Sequence, residues 1–157
     1  MFTREIEAAV DIDAAAERVW HVLTDARRYG EWNRFVPMLQ GELRAGGTVN
    51  VRVCPRGAPD LLFKATVIRV DPPHEFRWVG RLADAHVLGW PLLPRLFEGE
   101  HVFRLQRLGD DRVRMIQHET QTGLLLPLLG RWIDGWSAPG FDEMNRALKR
   151  RVEGKEA

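Results

Sequence analysis

The chain opens with an alternation of apolar and polar residues. Between residues 3 and 12, Ile6, Ala8, Val10 and Ile12 fall on one face, and mainly charged residues fall on the other. A period of two residues is typical of a strand with one buried face. The segment therefore predicts a first β-strand that packs on a core through its apolar side.

Helical spacing replaces this alternation immediately afterwards. Asp13 stands before an alanine-rich turn as a predicted helix cap, and Val19, Trp20 and Leu23 then follow at helical intervals. A second, shorter helical piece is predicted over residues 26–31. Two helices thus follow the first strand.

Six further strands are predicted, separated by turns rich in Gly, Pro and Asp. They cover residues 38–43, 48–54, 61–70, 75–81, 97–107 and 112–122. Short turns between successive strands favour an antiparallel sheet, which the last helix must cover. The order β-α-α-β(6)-α predicts an α+β fold with about seven strands.

The C-terminal segment is predicted to be helical, with an interruption. Phe141, Met144 or Asn145, Leu148 and Val152 line one face of it. Pro139 and Gly140 predict either a kink or a short helix over residues 130–136 followed by a second helix. In the second case Ser137 is the candidate N-cap.

The register of the last hairpin decides which polar residues point inward. A two-residue turn at residues 109–110 would place His101 beside His118, as half of a metal site, but would also place Arg112 and Arg114 on the apolar face. Burying arginines is costly, so a three-residue loop at residues 109–111 is favoured. His118 then points outward.

In the favoured register, His101, Gln117 and Glu119 point inward with Phe103 and Met115. His101 lies opposite Glu119. Such a pair can orient a bound polar group or act as an acid/base pair, and it can also be a satisfied polar pair near the end of a sheet. The sequence leaves these alternatives open.

Composition narrows the choice of partners. The 157 residues carry a net charge of +1, so nucleic acid is not the expected partner. Cys54 is the single cysteine, and no phosphate loop, dinucleotide fingerprint, nucleophile elbow or metal-ligand spacing is present, so no metal or cofactor is expected.

Residues 124–129 form the longest apolar run, which is too short for a membrane span. No signal peptide is visible, so a cytoplasmic location is predicted. Six tryptophans hint at a cavity or a contact surface.

With these elements placed, the chain resembles the START-like helix-grip superfamily, also called SRPBCC, and within it the polyketide cyclase/dehydrase branch. The resemblance spans almost the whole chain and implies one domain over residues 1–157. It is carried by residues 16–25, 29–35, 71–73, 99–105, 119–125 and 141–148. It implies a curved antiparallel sheet of about six or seven strands wrapped around a long C-terminal helix, with a deep apolar cavity between them.

The resemblance also implies which residues line that cavity. Trp90, within an apolar stretch at residues 87–97, is the expected ligand contact in a lid or rim, although this stretch also suits a dimer or membrane-surface contact. Two features depart from the family pattern: Gln117 stands where relatives often have histidine, and Pro139 falls where their helix is usually continuous. The other expected lining residues are Trp32, Phe35, Val51, Val53, Phe63, Phe76, Trp78, His101, Phe103, Met115, Gln117, Glu119, Phe141, Met144 and Leu148.

Three functions fit these expectations, since a scaffold does not by itself determine function. The first is binding of a small hydrophobic or aromatic molecule, polyketide- or lipid-like, in the cavity of a monomer or homodimer. The second is a cyclase/aromatase, dehydratase or hydrolase that uses His101 and Glu119 as its acid/base pair. The third is a protein-interaction module of the co-chaperone kind, which predicts a filled core without an open cavity.

Overall fold

A seven-stranded antiparallel sheet dominates the computed structural model, which describes residues 1–81, 86–87, 90–91 and 97–155, with the backbone alone at 86–87 and 90–91. The strands in sheet order are β1 (Phe2–Ile12), β9 (Arg112–Gly123), β8 (Glu98–Gly109), β5 (Glu75–Arg81), β4 (Leu61–Asp71), β3 (Thr48–Val53) and β2 (Met38–Gly41). Two-residue strands β6 (His86–Val87) and β7 (Trp90–Pro91) pair separately. The predicted α+β helix-grip architecture and element order are confirmed.

The helices lie before and after this series of strands. α1 (Ala16–Thr24), a 3₁₀ turn (Ala26–Arg28) and α2 (Tyr29–Trp32) follow β1, and α3 (Leu126–Glu153) ends the described chain. α3 contacts β1, β9 and α1. Among the described residues, none of the helices combines the length and the apolar character that a membrane span requires.

The inward faces of the strands form the core that the alternation predicted. Val49, Val51 and Val53 of β3 are buried, whereas the residues between them are exposed. On α3, Phe141 and Met144, and Leu148 one turn further on, are buried in the same core. The apolar face of the sheet therefore lies toward α3, as the amphipathic pattern of both elements requires.

The register of the β8–β9 hairpin is as predicted, although its turn differs. His101 pairs with Glu119, and His118 points outward, with its Nδ1 3.4 Å from Glu7 Oε2. Gly109 pairs with Arg112, so the turn has two residues rather than three, and an irregularity between Arg107 and Gly109 absorbs the extra residue. The bulge thus keeps the arginines of this hairpin on the outer face of the sheet, as expected because burying them would be costly.

The alternative of two separate C-terminal helices was wrong, and so were the two predicted helix caps. α3 runs unbroken from Leu126 to Glu153 with Pro139 inside it, and Ser137 is buried in the helix instead of capping one. Pro139 is exposed, so the helix retains its packed face on both sides of the proline. Asp13 does not cap α1 either: Ala15 holds that position, and the Asp13 N–H donates to Glu153 Oε1 at 2.9 Å.

Candidate functional site

A cavity of about 590 Å³ lies between the sheet and α3. Its wall is mostly apolar, with aromatic rings from the sheet, from the segment after α2 and from α3. The sequence-predicted residues that line it are Phe35, Val51, Val53, Phe63, Trp78, His101, Phe103, Glu119, Phe141 and Met144.

Five other predicted lining residues do not lie on the cavity wall, and this part of the prediction is corrected. Phe76, Met115 and Leu148 are fully buried in the packed core, and Gln117 is equally buried. Trp32 packs edge-on against Tyr29, with ring centroids 5.2 Å apart. Alternation shows which face a side chain occupies, but not whether the helix fills the groove at that depth.

The side chain of Trp90, which was the expected ligand contact, lies outside the described residues. Most of the predicted lid at residues 87–97 lies outside them as well. Phe97, at the end of that stretch, is described and does line the cavity. The role of the stretch stays a prediction.

A stripe of apolar residues on the first half of α3 was not predicted from the sequence. Leu129, Trp132, Ile133 and Trp136 line the cavity at helical spacing, and the stripe continues into Phe141. The period of 3–4 residues was present in the sequence, but the helical face that was predicted began only at Phe141, after the interruption expected at Pro139 and Gly140. The remaining unpredicted lining residues are Tyr29, Val36, Leu39, Pro59, Asp60, Leu61, Gly80, Arg81 and Gly99.

The mouth of the cavity is polar on one side and aromatic on the other. Asp60 is exposed and accepts a hydrogen bond from Arg52 Nη2 at 2.6 Å, which lowers the pKa of Asp60. Arg81 donates to Glu98 Oε2 at 2.7 Å. Trp132 lines the cavity while 49% of it remains exposed. These residues place the opening at the solvent-facing ends of β4, β5 and α3.

Two glycines opposite each other make room within the wall. Gly80 of β5 pairs with Gly99 of β8. A Cβ on Gly80 would lie 2.7 Å from the Phe63 ring, and one on Gly99 would lie 2.9 Å from Glu119 Oε1. The absence of both side chains lets Phe63 and Glu119 lie over the strands.

The polar corner of the cavity is built around His101. Its ring stacks on Trp78 with centroids 5.0 Å apart and an interplanar angle of 9°, and it meets Phe141 edge-on at 4.9 Å. His101 Nε2 lies 3.1 Å from Gln117 Oε1. The imidazole is therefore held by rings on its faces and by a hydrogen bond at its inner nitrogen.

Gln117 connects this corner to α3. Its Nε2 donates to Asn145 Oδ1 at 2.6 Å and to the Phe141 carbonyl at 3.4 Å. Gln117 and Asn145 are both buried. A buried polar chain that runs from helix to strand to cavity fixes the position of each side chain in it.

Glu119 completes the corner. Its Oε2 lies 3.7 Å from His101 Nδ1, and its Oε1 accepts a 3.4 Å hydrogen bond from Gln121 Nε2. Among the described side chains, no lysine or arginine lies within ion-pairing distance of this carboxylate. His101 and Glu119 can jointly hold one proton or one hydrogen-bond donor, which is what an acid/base pair or an orienting pair requires. The described residues contain no cluster of three metal-ligating side chains.

Comparison with known proteins places these features in context. The sequence model of the family described as "Polyketide cyclase / dehydrase and lipid transport" matches residues 3–153. No curated protein sequence matches the chain.

Solved structures of several proteins superpose on the chain over nearly its full length. The Zhui aromatase/cyclase from a Streptomyces species has a TM-score of 0.74 at 15% identity, with 98% of this chain and 96% of that chain covered. A norcoclaurine synthase mutant from Thalictrum flavum, bound to a transition-state analogue, has a TM-score of 0.71 at 16% identity and covers 99% and 98%. A START superfamily protein from Mycobacterium smegmatis has a TM-score of 0.72 at 17% identity and covers 97% and 99%. At these identities the likeness concerns the fold alone.

Proposed function

Because the chain belongs to the family of polyketide cyclases/dehydrases and lipid-transport proteins, we propose that it binds a small hydrophobic or aromatic molecule between the sheet and α3. The observation that carries this proposal is the open cavity of about 590 Å³ with an aromatic wall. Ligand sites commonly span roughly 300–1,000 Å³ and combine apolar walls with a few placed polar groups. Protein interiors are otherwise close-packed, so an apolar cavity of this size favours a ligand site over ordinary core packing.

The wall and the corner have different tasks in this proposal. Rings such as Trp78, Phe103 and Phe141 supply apolar contact area, and aromatic pairs add a preference for planar ligands. His101 and Glu119 orient the polar end of the ligand. The open cavity counts against the co-chaperone-like alternative, which requires a filled core.

A second candidate function uses the same cavity for catalysis. It is supported by the 3.7 Å approach of His101 Nδ1 to Glu119 Oε2 on the cavity wall. The pair would act as acid and base in a cyclase/aromatase, dehydratase or hydrolase reaction. Replacing His101 and Glu119 by alanine should then abolish turnover and leave binding of an apolar ligand largely intact. Unchanged turnover in these variants would exclude this role.

Binding can be tested before any natural ligand is identified. The protein as purified is measured by native mass spectrometry and then by thermal shift with aromatic polyketides, flavonoids, fatty acids and sterols. An added mass, or a rise of several degrees for one class, is the expected result.

A neutral fluorescent probe, Nile red, provides the matched control experiment. Val53→Phe, on β3, places a ring in the cavity, and Val79→Phe makes the same change on β5, on the face of the sheet that points away from the cavity. We expect Val53→Phe to reduce Nile red binding and Val79→Phe to leave it unchanged. If neither the natural panel nor Nile red binds to folded wild-type protein, the proposed function is wrong.

A further inference from the structure

The orientation of the Gln117 amide follows from its neighbours on α3. The carbonyl oxygen of Phe141 can only accept hydrogen bonds, and Gln117 Nε2 lies 3.4 Å from it. The same Nε2 lies 2.6 Å from Asn145 Oδ1. Both amide protons of Gln117 are thus directed at α3, and its Oε1 is left facing His101.

This orientation determines the tautomer of His101. Gln117 Oε1 can only accept, so the proton of their 3.1 Å hydrogen bond belongs to His101 Nε2. In a neutral imidazole the other nitrogen, Nδ1, then carries a lone pair. Nδ1 is the ring nitrogen that faces Glu119.

Two acceptors therefore face each other at the polar corner. His101 Nδ1 and Glu119 Oε2 are 3.7 Å apart, too far for a direct hydrogen bond of normal length. Only 6% of the His101 side chain and 17% of the Glu119 side chain are exposed. A buried hydrogen-bond acceptor that has no donor costs free energy. Placing a second anion beside the partly buried carboxylate of Glu119 also costs free energy.

We propose that Gln117, held by Asn145, fixes His101 as the Nε2–H tautomer, so that the cavity selects ligands presenting a hydrogen-bond donor and rejects ligands presenting a carboxylate. Gln117 and Asn145 are positioning residues in this scheme, and Glu119 is the specificity-determining residue. The inference rests on the proposed function, because it concerns the polar end of a ligand in the same cavity. It narrows the ligand class to apolar molecules ending in a hydroxyl or a comparable donor.

Three probes of one ring system test this selection: naphthalene, 2-naphthol and 2-naphthoate, with dissociation constants measured by calorimetry or by displacement of Nile red. We expect 2-naphthol to bind at least about tenfold more tightly than 2-naphthoate. Glu119→Gln should remove most of that preference by improving 2-naphthoate binding. Glu100→Gln makes the same change on the outer face of β8, where Glu100 pairs with Arg77, and should leave the preference intact.

The outcomes distinguish failure of the selection from failure of the cavity as a binding site. If naphthalene binds but 2-naphthol and 2-naphthoate bind equally, or if Glu119→Gln changes nothing, the selection is overturned while the cavity remains a binding site. If none of the three probes binds and neither Nile red nor the ligand panel binds to the folded protein, the proposed function fails and the selection fails with it.

The tautomer is measured separately by ¹⁵N-detected NMR of the imidazole. We expect a protonated Nε2 and an unprotonated Nδ1 on His101 in the wild-type protein, and a mixture of tautomers in Gln117→Leu. Asn145→Ala, which removes only the outer partner, provides a milder variant if Gln117→Leu does not fold. A wild-type imidazolium, or a proton on Nδ1 alone, overturns the positioning role of Gln117.

Discussion

The ring of Phe35 lies directly against the backbone of Gly140 in the middle of α3. A Cβ built on Gly140 would lie 2.1 Å from Phe35 Cε2 and 2.4 Å from two other ring atoms, far inside any real contact. Phe35 also meets Phe141 edge-on, with centroids 6.0 Å apart. Glycine at this point therefore lets the helix approach the segment after α2 closely enough to close one side of the cavity.

Gly140→Ala should lower the free energy of unfolding. The added methyl group overpacks the Phe35 contact, which costs about 1–3 kcal/mol and outweighs the gain in helix propensity of about 1 kcal/mol. The measurement is urea-induced unfolding followed by circular dichroism. Gly135→Ala is the control on the same helix, because Gly135 is exposed and nothing lies within 4 Å of its Cβ position. It should stabilise the protein, and a stabilising Gly140→Ala would show that the Phe35 contact is not tight.

The contact between Phe35 and Gly140 also explains why the strands were easier to predict than the continuity of α3. Alternation identified the strands because each has one buried face, and the cost of burying arginines selected the register that pairs His101 with Glu119. Pro139 and Gly140 predicted either a kink or two separate helices, because local propensity disfavours both residues inside a helix. Packing across α3 overrides that propensity, with Pro139 on the solvent side and Gly140 beneath Phe35.

The cavity wall was only partly predictable for a related reason. Sequence periodicity distinguished inward from outward side chains, so Trp78 and Phe103 were identified, but Phe76 and Leu148 were assigned to the wall as well. Which inward residues meet the void depends on the depth to which α3 fills the groove. That depth depends on how the helix and the sheet pack together, and the hydrophobic pattern of a single strand or helix does not predict it.

Gly99→Ala should disturb the polar corner without changing any charge. Its methyl group would lie 2.9 Å from Glu119 Oε1, and the carboxylate can move away more easily than the strand can. We expect a folded protein in which 2-naphthol binds about tenfold more weakly, because the two acceptors no longer converge. Gly109→Ala is the matched control on β8, since nothing lies within 4 Å of its Cβ position. Equal affinities for 2-naphthol in both variants would contradict this account of the corner.

Tyr29→Phe should separate stability from binding. The Tyr29 hydroxyl is buried and donates to the Leu23 carbonyl at 2.6 Å, and burial raises the pKa of Tyr29 well above its usual range. Removing the hydroxyl leaves that carbonyl without its partner and should cost about 1–2 kcal/mol in the free energy of unfolding. The ring still lines the cavity, so the Nile red dissociation constant should not change. A large loss of binding with unchanged stability would mean that the hydroxyl serves the ligand instead of the fold.

Glu153→Gln should remove an acid-sensitive contribution to stability. Glu153 Oε1 accepts hydrogen bonds from Lys149 Nζ at 2.8 Å and from the Asp13 backbone N–H at 2.9 Å, which joins the end of α3 to the segment before α1. These partners, Lys149 first, lower the pKa of Glu153 from 4.5 to about 2. A charge-assisted hydrogen bond of this kind contributes roughly 2 kcal/mol, so the variant should be less stable by about that amount at neutral pH.

The pH dependence of this difference gives the sharper test. Because the carboxyl pKa of Glu153 is lower in the folded than in the unfolded protein, its contribution is fully present above pH 4.5 and is lost as the pH falls toward 2. The gap in unfolding free energy between wild type and Glu153→Gln should therefore be constant from neutral pH down to about pH 5 and then narrow steadily. Glu5→Gln, an exposed change on β1, should show no comparable gap at any pH. A gap for Glu153→Gln that stays constant through the acid range would show that the side chain contributes through packing alone, since packing does not depend on the ionisation of the carboxyl group.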